Sequence, residues 1–189
     1  ESDLAAELEQ QLKGLSAHVE RELTRARIAA NSTVTQRTLV HPIATRLLRT
    51  MEKLPRGDRI SWKLHCQPDF AAPVEEVDLA EVLGNLLDNA RKWARSEVTV
   101  SARSVDANVE LSIDDDGPGV SEADHARVMR RGTRLDESVP GSGLGLSITR
   151  AVVEAYSGKV VLERSACGGL RVRLSLPRPH GSLASGRDT

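Results

Sequence analysis

Residues 78–94 read Asp-Leu-Ala-Glu-Val-Leu-Gly-Asn-Leu-Leu-Asp-Asn-Ala-Arg-Lys-Trp-Ala. At about 100° per residue, Leu79, Val82, Leu83, Leu86, Ala90 and Trp93 fall on one side. Glu81, Asn85, Asp88, Asn89 and Lys92 fall on the other, within an arc of roughly 100°. The spacing predicts a helix over 79–94, with Asp78 as its N-cap and Glu81 three residues later, close to a capping box. Periodicity alone accounts equally well for a solvated polar side. Two residues weigh against that. Asparagine is a poor helix former, yet Asn85 and Asn89 stand mid-helix one turn apart. Carboxamide oxygens are neutral ligands for a hard cation such as Mg²⁺, and Lys92, one turn further on, is a point charge suited to a phosphate.

Outward from this helix, strands alternate with turns. Val98, Val100 and Ala102, then Val109, Leu111 and Ile113, read as two strands joined near Asp106-Ala107-Asn108. A last pair covers 160–163 and 170–176, where Leu170, Val172, Leu174 and Leu176 alternate. Ser121 is placed to cap a short helix reaching about Met129, and a helix from about Gly143 to Ser157 is expected to end at Gly158. Upstream, 38–54 is helical, since Pro42 is tolerated near a helix start. Pro55-Arg56-Gly57-Asp58 is a turn, Ile60, Trp62, Leu64 and Cys66 alternate as a strand, and 68–73 is loop. The sum is an α/β (α+β) domain with hairpin-joined strands and helices on one face.

Residues 4–28 form a separate pattern. Leu4, Leu8, Leu12, Leu15, Val19, Leu23 and Ala26 make a narrow apolar seam that requires a partner helix. Asn31-Ser32-Thr33 breaks it. The expected organisation is 1–34 as helix and linker, 35–177 as the α/β domain, and 178–189 as a disordered tail rich in Pro, Gly and Ser. Beginning at Glu1 inside a helical pattern, the chain is expected to continue a longer protein. Of its 189 residues, 39% are hydrophobic but only 2% aromatic, so Leu, Val, Ile and Ala must build the core. A net charge of -1 gives no electrostatic reason to expect nucleic acid or a membrane surface as partner. Cys66 and Cys167 are too few for a disulfide framework or a zinc site. No apolar run approaches the roughly 18 residues of a membrane span.

Two glycine-containing loops complete the pattern. Asp114-Asp115-Asp116-Gly117-Pro118-Gly119 follows a strand. A plain turn explains it. So does a carboxylate that accepts a hydrogen bond from an exocyclic amine, beside glycines that let a planar ring approach. Gly141-Ser142-Gly143-Leu144-Gly145-Leu146 precedes a helix. It reads as a flexible linker or as backbone N–H groups gathered for an anion such as a triphosphate. It lacks the third glycine of the dinucleotide fingerprint and the Gly-Lys-Ser/Thr of a P-loop.

Together and in this order, these elements resemble the histidine-kinase branch of the ATPase superfamily that also holds gyrase and MutL. Asn85-Leu86-Leu87-Asp88-Asn89-Ala90-Arg91-Lys92 resembles its N box, Asp115-Asp116-Gly117-Pro118-Gly119 its first glycine box, and 141–146 its second. The resemblance covers about 36–177. It implies a two-layer sandwich with a mixed, mostly antiparallel sheet, preceded by a long dimerisation helix at 4–28. It implies ATP and Mg²⁺ as cofactors, with Asn85 as the metal ligand, Asn89 and Lys92 toward the phosphates, and Asp88 among the cofactor-binding residues. Asp115 would take the adenine amine, with Gly117 and Gly119 beside the ring, and Gly141, Ser142, Gly143, Leu144, Gly145 and Leu146 would wrap the triphosphate. Glu81 occupies the position where related ATPases keep a base. The implied reaction moves the γ-phosphoryl of ATP to a histidine and on to the aspartate of a response-regulator receiver domain. The implied setting is a homodimer in the cytoplasmic portion of an inner-membrane-anchored bacterial sensor.

Two features depart from the family pattern. The phenylalanine-rich F box is absent, since Phe70 is the chain's only Phe. In its place stands Arg130-Arg131-Gly132-Thr133-Arg134-Leu135-Asp136, similar to the lid of PhoQ-type kinases. That likeness directs Arg134, and secondarily Arg131, toward phosphates; a solvated basic loop is the plainer account. None of His18, His41, His65, His125 and His180 has the phosphoacceptor's sequence context, so the acceptor is expected on an upstream helix. The alternative function is a degenerate nucleotide-holding or dimerising module without chemistry.

Overall fold

The computed structural model describes residues 37–134, 136 and 142–178, all within the compact unit Thr35–Thr189. The expected helix at 4–28 and the tail beyond 178 lie outside the described residues. The element order is β1 (Thr38–Leu39), α1 (Val40–Glu52), β2 (Ser61–His65), β3 (Ala71–Ala72), α2 (Glu76–Trp93), β4 (Glu97–Val105), β5 (Asn108–Asp115), α3 (Glu122–Val128), α4 (Gly145–Ala155), β6 (Lys159–Arg164) and β7 (Leu170–Pro177). Five strands make one sheet in the order β2-β4-β5-β7-β6. Only β2 and β4 run parallel; the other neighbours are antiparallel.

Strand parity decides which face is covered. The register aligns Val100 with Ile113, Leu111 with Leu174 and Ile113 with Val172, so the buried aliphatics of three strands share one face. The helices bury their apolar sides there, in one core with Leu79, Leu83, Leu86 and Leu87 of α2 and Ile43, Ala44 and Leu48 of α1. With α1, α4 and β5 all packed against it, α2 buries more of its circumference than a one-sided stripe would. The alternate positions carry Lys63, Glu97, Arg103, Glu110, Asp114, Arg171, Arg173 and Glu163. Ion pairs cross-link that opposite face, including Arg103–Glu110 at 2.9 Å and Arg173–Glu110 at 3.0 Å.

Several boundaries differ from the sequence reading. Helix α2 begins at Glu76 with Glu75 in the cap position, so Asp78 is not the N-cap. Its carboxylate instead accepts the phenolic hydrogen of Tyr156, and the Tyr156 oxygen accepts the Glu75 N–H at 3.2 Å. The C-terminal end of α4 thereby caps α2 through a third residue. The expected loop at 68–73 contains β3, which pairs with β1. Helix α4 ends at Ala155, and the left-handed residue after it is Ser157 (φ 57°) rather than Gly158. Gly158 is required for a different reason: a Cβ there would lie 2.6 Å from the Ser175 carbonyl oxygen and 2.8 Å from Leu176 and Val153.

Gly158→Ala is therefore expected to cost about 1–3 kcal/mol by overpacking. Gly84→Ala, mid-helix in α2 with nothing within 4 Å of its would-be Cβ, should gain about 0.5–1 kcal/mol. Urea unfolding midpoints check both, and a stabilised Gly158→Ala would contradict the close approach.

Candidate nucleotide site

The parity that buries Leu111 and Ile113 also turns the side chain of Asp115, at the end of β5, toward the helices. It is 3% exposed. One carboxylate oxygen, Oδ1, accepts the Gly117 N–H at 2.8 Å and the Leu170 N–H at 3.1 Å. Burial pushes its pKa above the ordinary range, and the nearby Asp116 and Asp114 add to this, against the pull of those two N–H groups. The backbone around it leaves no space for side chains. A Cβ on Gly117 would lie 2.5 Å from the Trp93 carbonyl oxygen, and one on Gly169 would collide with Asp115 itself. Gly119 takes φ 74° against the Gly169 carbonyl.

The polar side of α2 faces the same space. A cavity of about 320 Å³ is lined by Asn85, Asp88, Asn89 and Lys92 of α2, by Asp115 and Gly119 at the end of β5, and by Ser142, Gly143, Gly145 and Leu146 around the start of α4. Arg134 also lines it. Gly145, in the first turn of α4, comes close enough to Asn85 that an added Cβ would touch its side chain at 3.7 Å. The positive end of a helix dipole thus stands beside a carboxamide. Gly132 donates its N–H to the Gly143 carbonyl at 3.1 Å.

Asp88 ties the cations of α2 together. Lys92 Nζ lies 2.6 Å from its Oδ2 and Arg91 Nη2 2.7 Å from its Oδ1. Burial would raise this carboxyl, but the hydrogen bonds from Lys92 and Arg91 prevail and hold it below the usual range. Asp116 faces away and serves the backbone. Its carboxylate accepts the N–H groups of Arg95 (2.7 Å) and Ser96 (3.0 Å) and the Ser96 hydroxyl (2.7 Å). Burial opposes its ionisation, yet the Ser96 hydroxyl and the N–H groups around it bring the pKa to about 2.

Of the residues singled out from sequence, Glu81, Gly117, Arg131 and Leu144 do not line the cavity. Glu81 precedes Asn85 by one turn, Gly117 packs behind Asp115, and Leu144 is the N-cap of α4. Gly141 lies outside the described residues. The cavity adds Trp93, Pro118, Val120, Val128, Thr133, Asp136 and Leu170. Trp93 belongs to the apolar stripe of α2, so its pattern marked it as core. Nothing in the alternation of β7 distinguishes Leu170 from Val172 or Leu174.

Residues 74–180 match the family described as histidine kinase-, DNA gyrase B-, and HSP90-like ATPase. The sensor protein kinase CarS of Pseudomonas aeruginosa is 39% identical over 93% of this chain and 39% of its own length. The two-component sensor PhoQ of the same organism is 36% identical over 88% of this chain and 37% of its own. The chain thus spans about two-fifths of the length of these curated relatives. Among solved structures, a mycobacterial sensor histidine kinase, MprB, superposes with a TM-score of 0.66 at 27% identity, over 75% of this chain and 97% of that one. The chain belongs to the histidine kinase-, DNA gyrase B- and HSP90-like ATPases, and the relatives to which it is similar are sensor histidine kinases.

Proposed function

We propose that this chain is the ATP-binding catalytic region of a two-component sensor histidine kinase. It would transfer the γ-phosphoryl of ATP to a histidine on an upstream helix, for onward transfer to a response-regulator aspartate. One observation carries the reading: the amide side of α2, the buried Asp115 and the start of α4 surround a single cavity. In the working protein the seam at 4–28 would dimerise, on the cytoplasmic side of a membrane-anchored sensor. No described helix is long and apolar enough to cross a membrane. No departure within the cavity favours the alternative of a module without chemistry.

The residues divide the labour by their chemistry. Asp115 Oδ1 is occupied by two backbone donors, so Oδ2 is the oxygen left for an exocyclic amine. Asn89, Lys92 and Arg134 would meet the phosphates, and the N–H groups at the start of α4 would add the helix-terminal field. Among the described residues no cluster of three His, Cys, Asp or Glu side chains could hold a metal ion. A neutral amide at Asn85 therefore fits Mg²⁺ held chiefly by phosphate oxygens, not by a carboxylate cage. Bound there, Mg²⁺ would supply charge neutralisation on the β- and γ-phosphoryl oxygens. Glu81 stands one turn before Asn85 and outside the cavity lining, so it would receive the acceptor imidazole's proton only if the docked histidine brings that ring to it. Lys92 has three N–H donors, so it could meet a phosphate oxygen while Asp88 holds it in place. Catalysis then rests on positioning and electrostatics.

Asn89→Ala and Asp115→Ala are expected to weaken Mg·ATP binding by about 100-fold or more with the circular dichroism spectrum unchanged. Wild-type affinity in either variant, by calorimetry, would overturn the site assignment.

A second expectation concerns pH. An amine donating to Asp115 favours the ionised carboxylate, so bound nucleotide should lower a pKa that burial raises in the free protein. By linkage, affinity falls as pH drops through the free-protein pKa. Carboxyl-carbon NMR titrations with and without Mg·ADP check this; superimposable curves would exclude the contact.

A further inference from the structure

The last turn of α2 carries Lys92 and Trp93, both lining the cavity, and a helix leaves its last carbonyls without partners. Two of the acceptors here are taken by one exposed side chain from elsewhere in the chain. Arg56, in the loop between α1 and β2, donates from Nη1 to the Lys92 carbonyl at 3.0 Å and from Nη2 to the Ala94 carbonyl at 3.3 Å. The carbonyl between them, that of Trp93, lies against Gly117 of the loop that follows Asp115. The fork of one guanidinium thus brackets the residue whose backbone separates α2 from that loop.

The arginine stands on a fixed base. Its own backbone is left-handed, with φ 71° and ψ −16°, a conformation that non-glycine residues avoid unless their surroundings impose it. Next to it, Gly57 is packed so closely on the Met51 carbonyl that no side chain fits, and its carbonyl accepts the Trp62 indole N–H at 3.0 Å. A return contact closes the link: Arg91 donates to the Pro55 carbonyl and to Asp88. On the far side of the same turn, Asp116 holds the N–H groups of Arg95 and Ser96. The segment from Lys92 to Ser96 is thereby clamped from two directions, by a cation on its carbonyls and an anion on its amides. Charges of those signs suit a helix C-terminus and the backbone donors beyond it.

We propose that Arg56 is a positioning residue for nucleotide binding. By capping α2 at the Lys92 and Ala94 carbonyls it sets where the Lys92 and Trp93 side chains stand relative to Asp115, without touching the ligand. The inference rests on the cavity being the nucleotide site. A lysine cannot replace it, because a single ammonium lacks the planar fork that reaches two carbonyls at once.

The test uses Arg56→Gly, which removes the fork while relieving the left-handed backbone, and Arg56→Lys, which keeps the charge. The full chain is titrated with Mg·AMP-PNP by calorimetry, and the indole N–H resonances of Trp62 and Trp93 are recorded in free protein. Both variants should bind about tenfold more weakly than wild type, with the Trp93 resonance displaced before nucleotide is added and the unfolding midpoint little changed. Affinity and Trp93 resonance at wild-type values in Arg56→Gly would overturn the proposal. Should Arg56→Gly fail to fold, Arg56→Lys decides by the same two readouts. Absence of binding by wild type would instead defeat the reading of the cavity, a separate and recognisable result.

Discussion

A carboxylate on the apolar side of a sheet is the constraint from which the rest of the site follows. Asp115 continues the inward series Val109, Leu111 and Ile113, and burying a charge among such neighbours is costly unless hydrogen bonds meet it. Two backbone donors meet it at Oδ1. To bring them there, the chain after β5 must fold back at once and the turn between β6 and β7 must close on the same oxygen. Both approaches exclude side chains at Gly117 and Gly169. Two donors share one oxygen, and Asp115 itself lines the cavity. The glycines are thus consequences of burying Asp115, and under the proposed function a ligand's donor would complete what the fold begins.

The second requirement is a helix that is core on one side and chemistry on the other. Leu79, Leu83, Leu86 and Leu87 are all less than 2% exposed, so α2 is held by the sheet and by two neighbouring helices. That fixation lets Asn85 and Asn89 occupy mid-helix positions for which their own propensity is poor. Gly145 then brings the start of α4 within contact of Asn85. The amide side and the helix terminus thus face one small volume.

The sequence made the larger elements readable because their apolar residues keep a strict period: they alternate along β5 and β7 and gather on one side of α2, although β5 also buries Glu110 and Asp114 on its other face. Legibility ended where a residue's role depends on a distant partner. Asp78 has the chemistry of an N-cap, but Tyr156, remote in sequence, takes its carboxylate, and the helix starts earlier. Trp93 obeys the apolar period of α2, and only the position of the helix end shows it facing a cavity. Gly158 stands where a left-handed cap is usual, while its actual constraint is the packing of Ser175 and Leu176 around it. β1 and β3 have two residues each, too short for any period to register. In each case the missing information was tertiary.

The opposite face of the sheet has its own part in the site. Arg171 Nε lies 2.6 Å from Asp114 Oδ1, which also accepts the Ser165 hydroxyl at 3.2 Å. The Ser165 oxygen in turn accepts the Cys167 N–H at 3.2 Å. Asp114 and Ser165 are both nearly buried, so this small network fixes the turn that carries Gly169. Adjacent residues of β5 therefore divide a single task across the sheet. Asp114, pointing outward, anchors the turn through Arg171 and Ser165, while Asp115, pointing inward, receives the Leu170 N–H which that turn delivers. Surface ion pairs contribute little stability as a rule. The value of this one lies in geometry, because the carboxylate proposed to meet the ligand is only as well placed as the turn behind it.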